Sequence, residues 1–205
     1  MPSPTTESEG AQPRDFVAIA KAYAKKALDK KNRKRFGIWI RLAAERFLKD
    51  LERAKKKGAP FYFDEWHACD VCDFAEKLPH VEGTWDTPTI VLHESHVFFL
   101  VQLFGFRKPD GTRRFTTALF AIARKNAKST LAAVVSLYCQ VCEDEVGPQV
   151  ITAATTYDQA SIVFKVAKRM VEKTSDLREA FSMEVFAKSI ASYGNGGYFK
   201  ALHAK

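Results

Sequence analysis

The segment Ala123-Arg124-Lys125-Asn126-Ala127-Lys128-Ser129-Thr130 joins an apolar run to a helical pattern. A nucleoside triphosphate is gripped where backbone N–H groups converge at a helix start. It also needs a lysine that reaches the β- and γ-phosphates and a hydroxyl on the bound Mg²⁺. Lys128 followed by Ser129 supplies these parts in order, Lys128 as phosphate clamp and Ser129 as metal ligand. Arg124 and Lys125 add positive charge where the γ-phosphoryl group develops negative charge during transfer. Asn126, Ala127 and Thr130 complete the lining of the expected nucleotide site. The full pattern G-x-x-x-x-G-K-[ST] is not met, because Ile122 and Ala127 stand at its two glycine positions. Glycine is favoured there because such a loop visits backbone angles that a Cβ opposes.

The flanking elements have to present this loop. Phe115 to Ala123 has the length and apolarity of a buried strand. A helix from Lys128 to about Cys142 follows, then a short strand Gln149–Ala153 and a helix from Tyr157 to about Lys173. Thr156 and Gln159 have the spacing of a capping box at that last helix start. Phe186 to Ala204 reads as two more short strands joined at Gly194-Asn195-Gly196-Gly197. Alternating strands and helices predict an α/β fold with a parallel sheet. Glu143-Asp144-Glu145 reads as a solvated turn. Upstream, apolar residues recur at helical spacing from Phe16 to Ala27, with Asp15 as cap, and again from Ile38 to Leu51. Further helices are expected over Asp64–Lys77 and over Glu94–Phe104, the latter stopped by Gly105. The division that follows is a mobile tail over residues 1–14, a helical region over 15–87 and a partial nucleotide-binding domain over 88–205.

Composition adds bounds. A hydrophobic fraction of 46% with 16 Phe implies a real core. The net charge of +8 favours an acidic partner such as nucleic acid or nucleotide. Cys69/Cys72 and Cys139/Cys142 form two Cys-x-x-Cys pairs. Two such pairs can furnish a zinc site, but each lies in a helical pattern without a turn glycine, so free thiols in a reducing compartment are expected. No apolar stretch is long enough to span a bilayer, and Met1-Pro2-Ser3-Pro4 begins no signal peptide. The expectation is an intracellular protein with no membrane partner.

From about Trp39 onward the chain resembles the large terminase subunits of tailed phages, in the branch whose phosphate loop reads Arg-Lys-Asn-Gly-Lys-Ser. Trp39 to Leu51 is similar to that family's early helix. Gly111 to Thr130, with Arg113, Arg114 and Phe115, is similar to its Gly-x-Arg-Arg-Phe strand and loop. Ile151 to Ala160 is similar to its next strand and Gln-Ala helix. The resemblance implies a partial P-loop NTPase fold that uses ATP and Mg²⁺, with Arg124 and Lys128 as catalytic residues. It also places His96 where the family has the glutamine of its adenine motif, within Leu92-His93-Glu94-Ser95-His96. An imidazole presents its donor and acceptor on opposite sides of the ring, unlike an amide.

By the same resemblance the full-length protein would drive ATP-dependent packaging of double-stranded DNA into a procapsid in the host cytoplasm. It would assemble as a homo-oligomeric ring on the portal protein, partner a small terminase subunit, and carry a nuclease domain. No apolar run ending in Asp-Glu follows the loop, so a chain stopping at Lys205 is expected to bind nucleotide without appreciable turnover. Two rivals stand beside this reading. One is a catalytically inactive DNA-binding or assembly module using the basic helices from Asp15 to Gly58. The other is the first lobe of a helicase-like translocase.

Overall fold

The structure is a computed structural model and describes residues 14–203. Nearly all of the expected 1–14 tail lies outside these residues. Its last member, Arg14, is anchored by an ion pair to Glu76 and by a 3.2 Å hydrogen bond to the Leu92 carbonyl.

Four helices form the first layer. α1 (Phe16–Leu28) starts at Asp15, whose carboxylate accepts the Ala18 N–H at 2.8 Å. That bond satisfies one of the free amides of the first turn. α1 buries Phe16, Val17, Ala20, Tyr23, Ala24 and Ala27, the stripe expected from the spacing. A short 3₁₀ turn, Lys30–Asn32, leads to α2 (Ile38–Ala54), and α3 (Glu65–Lys77) is capped by Asp64. α4 (Glu94–Gly105) lies at the centre of the layer and packs against both α1 and α3. Strands β1 (Tyr62–Phe63) and β2 (Phe106–Arg107) pair antiparallel beside it. Gly105 was expected as a helix stop. α4 does end there, with Gly105 as its last residue, and the glycine also has a spatial role: a Cβ there would lie 2.6 Å from Phe63 Cε2 and 2.9 Å from Ala68 Cβ.

The second part is α/β. α5 (Lys128–Val141), β3 (Gln149–Ala154), α6 (Tyr157–Lys173) and α7 (Ser175–Ala180) precede β4 (Met183–Val185), β5 (Ser189–Ser192) and β6 (Gly197–His203). The sheet runs in the order β3-β6-β5-β4. β3 and β6 are parallel, in a register that places Val150 opposite Phe199, and the other pairs are antiparallel. α5 and α6 pack against each other and against β3 and β6. Leu137, Tyr138, Phe164, Met170, Ile190 and Phe199 are among the residues buried in this part. The Thr156 hydroxyl accepts the Gln159 N–H at 3.4 Å, while the Gln159 side chain turns to Thr155, so only half of the expected capping box forms. A hydrogen bond of 2.8 Å from the Tyr138 hydroxyl on α5 to Asp70 on α3 ties the two parts together.

Two expectations fail. Phe115 to Ala123 is not a buried strand: the segment pairs with no strand among the described residues, and most of it is exposed, Leu119 at 90%. A strand is buried only when neighbours cover its edges and faces, and apolarity alone does not provide them. Phe115 and Phe120 still pack against the core. Glu143 is likewise not part of a solvated turn. Its side chain is 7% exposed and accepts bonds from Arg107 at 2.8 and 3.2 Å and from Arg113 at 2.6 Å. The second arginine of the Gly-x-Arg-Arg-Phe motif is equally committed. Arg114 donates to Asp50 at 2.8 Å and lies 3.6 Å over the Phe61 ring. Both arginines therefore fasten the approach to the loop: one to the end of α5, the other to α2.

Candidate functional site

α5 begins at Lys128 with Ala127 as its N-cap residue. No side chain caps this helix, and its first turn holds no acidic residue. The first-turn amides are thus left for an anion, at the positive end of the helix dipole. Ala127 takes the left-handed conformation, φ 54 and ψ 28, and Lys125 has φ 64. The chain therefore adopts at Ala127 the backbone that glycine serves in the regular pattern, although a Cβ is present.

The side chains brace the same turn. The Lys128 ammonium donates to the Ile122 carbonyl at 2.6 Å and to the Ala123 carbonyl at 3.4 Å, and so spans the turn's base. The Asn126 amide donates to the carbonyls of Ala123 and Arg124 at 3.3 and 3.2 Å. Arg124, Lys125, Asn126, Ala127 and Lys128 are exposed, while Ser129 and Thr130 are partly covered in the first turn of α5. None of the cations Arg124, Lys125 and Lys128 forms an ion pair among the described residues. This is a set of donors and positive charges without internal counter-charge, which is the chemistry of an anion receptor.

His96 belongs to this site by position. It sits in the first turn of α4, its ring 6.0 Å from that of Phe120 on the segment entering the loop. Phe120 also packs on Phe99 of α4, with ring centres 4.6 Å apart. Burial, then the neighbouring His93, hold the His96 pKa below the usual histidine range, against a smaller opposing effect of the Asn126 backbone. All eight residues singled out in the sequence thus lie at one place, where α4 meets the loop. The contact between α4 and the loop stem escaped sequence reasoning, since nothing in the spacing pairs Phe99 with Phe120.

The cysteines lie elsewhere. Cys69 and Cys72 are on α3, Cys139 is on α5 and Cys142 caps that helix; all are free thiols. Burial first, then Asp70, pushes the Cys142 thiol up to about 12. Among the described residues no group of three or more His, Cys, Asp or Glu side chains is placed to hold a metal ion. No helix of the described residues is long and apolar enough to cross a membrane.

The comparisons with known proteins bear on this same region. The family model described as "Terminase large subunit, ATPase domain" matches residues 94–202, from the start of α4 into β6. The crystal structure of the HK97 bacteriophage large terminase is similar, with 26% sequence identity and a TM-score of 0.54. That likeness covers 66% of this chain and 27% of the terminase, so the chain spans about a quarter of that protein's length. No curated protein matches. The matched span is more than half of the 205 residues and includes the loop, α5, β3 and α6. The chain belongs to the family of terminase large subunit ATPase domains.

Proposed function

We propose that this chain carries the triphosphate-gripping part of a motor that couples ATP hydrolysis to the movement of double-stranded DNA into a procapsid. The carrying observation is the left-handed Ala127 at the start of an uncapped, acid-free helix, with Lys128 as the next residue. Such a turn presents amides and an ammonium to the same oxygens.

In this reading the amides of the first turn of α5 bind the phosphate chain, and Lys128 leaves the carbonyls of Ile122 and Ala123 to reach the β- and γ-oxygens. The Ser129 hydroxyl orients Mg²⁺, which when bound neutralises charge developing on the phosphates. Arg124 stabilises the transition-state charge, while Lys125 and Thr130 complete the lining. Residues 88–205 form the nucleotide-binding lobe, with residues 15–87 as the helical region that braces it. The family and the HK97 likeness support a full-length protein that works as a ring on a portal, with a small terminase subunit and a nuclease domain.

A Mg-ATP titration of the chain by calorimetry tests the grip. Binding in the wild type, lost or weakened at least tenfold in Lys128→Ala, is the expected result. Equal affinity in the two proteins would leave the inactive DNA-binding or assembly module as the better reading.

A further inference from the structure

Two tryptophans stand on the outside of the helical layer, on different helices and in surroundings of opposite charge. Trp39, in the first turn of α2, is 80% exposed, with Ile38 and Leu42 exposed beside it. Lys30, Lys31, Arg33, Lys34 and Arg35 precede it, all exposed, and none forms an ion pair among the described residues. Past Leu42, a groove of about 240 Å³ runs along α2 between Leu42, Glu45, Arg46, Lys49, Asp50 and Arg53. Lys49 and Arg53 answer the carboxylates of Glu45 and Asp50, which leaves Arg46 without a carboxylate partner among the described residues. The face is thus an apolar centre with cations on either side.

α3 presents the reverse. Trp66 is 64% exposed, and Glu65, Cys69 and Asp73 share its face at helical spacing. α3 carries Glu65, Asp70, Asp73 and Glu76 against one lysine, Lys77. Asp70 is bound by Tyr138 and Glu76 by Arg14. Glu65 and Asp73 are exposed and form no ion pair among the described residues. Here an indole lies between two carboxylates about 12 Å apart along the helix. α2 packs on α1 and α3 chiefly on α4, so one copy can offer both faces at once.

We propose that these two faces dock on each other between copies of this chain. Trp66 of one copy seats on Ile38 and Leu42 of the next, and Glu65 and Asp73 meet the cations on either side. A nucleic acid would use the cations and leave Ile38 and Leu42 in water. A second copy covers them, and the chain itself carries the matching acids. Aromatic anchors inside a charged rim are the pattern of protein interfaces. Because the two faces differ, the contact is heterologous and repeats from copy to copy. It deepens the ring part of the proposed function and rests on that part for closure; the grip on triphosphate is tested apart from it, by the Mg-ATP titration.

Sedimentation velocity of the whole chain without nucleotide tests the contact. The wild type should self-associate as its concentration rises, and less so in high salt. Arg33→Glu with Arg35→Glu, and separately Glu65→Lys with Asp73→Lys, should each weaken that association at least about tenfold, because each reversal sets like charges face to face. Mixed in equal amounts, the two variants should associate again. The reversed face of one then meets the reversed face of the other, while the untouched faces still match. Damage to folding would not be repaired by mixing. A mixture that stays monomeric, or reversals that associate as the wild type does, would overturn the proposal. So would a wild type that remains monomeric up to roughly 0.5 mM. If that monomer binds duplex DNA and the Arg33/Arg35 reversal loses it, the face belongs to nucleic acid instead.

Discussion

Replacing Ala127 by glycine is the most direct probe of the loop. An L-residue in the left-handed helical region is disfavoured by roughly 1–2 kcal/mol, a penalty that glycine lacks. Glycine also frees the unfolded chain, which offsets about 0.4–1 kcal/mol of that gain. With φ at 54 for Ala127, the net relief in Ala127→Gly is about 0.5–1 kcal/mol. Where the relief shows depends on when the turn is left-handed. If it is so at all times, the gain enters the stability of the lobe, as a rise of roughly 1–4 °C in melting temperature. If it becomes so only when gripping an anion, the gain enters affinity, up to about fivefold for Mg-ATP. Measured together by thermal unfolding and calorimetry, the two gains should sum to the same relief. Asn, which tolerates this region, should fall between Gly and Ala, and the β-branched Val should lie below Ala. A glycine variant that neither melts higher nor binds tighter would refute the premise that Ala127 is strained in a phosphate-binding turn.

Further predictions follow from the supports of the loop. Glu143→Ala leaves Arg107, whose side chain is 4% exposed, without its carboxylate. The expected loss is about 3–5 kcal/mol of unfolding free energy in denaturant titration; a loss under about 1 kcal/mol would show the cluster to be solvated. Gly105→Ala forces a methyl group to within 2.6 Å of Phe63 and should destabilise by about 1–3 kcal/mol, with the position of α4 against β1 disturbed. His96 gives a pH dependence. Its folded-state pKa is depressed, so the unfolded chain binds the proton more readily; stability is full above the ordinary histidine value and falls as pH drops below it. The wild type should therefore lose more stability between about pH 7 and 5 than His96→Gln does. Identical pH profiles would place His96 in solvent.

Much of the site was legible because its signals are local. A lysine and a hydroxyl at a helix start, and the charges of Arg124 and Lys125, are properties of adjacent residues. Helix caps at Asp15 and Thr156 depend on three or four residues each, and both form as spacing predicts or nearly so. The hairpin at Gly194–Gly197 is likewise a matter of nearby turn chemistry. The failures are non-local. Phe115 to Ala123 has the apolarity of a buried strand, but burial depends on which strands lie beside it, and none of the described ones does. Glu143 sits in an acidic triplet that reads as solvated, yet two arginines about thirty residues earlier in the chain fold onto it. Gly105 reads as a stop signal and does end α4, but the phenyl ring from β1 that leaves no room for a Cβ there is not visible in the sequence.

From the order of residues alone came the place of the loop at a helix start, the helices that bracket it and the α/β character of the second part, because short-range sterics and hydrogen bonding fix these. The backbone at Ala127, the seating of His96 beside Phe120 and the clamping of Arg113 and Arg114 emerged only in three dimensions. Each of those depends on segments distant in sequence meeting at close range, and a linear pattern does not encode which of many compatible partners will arrive.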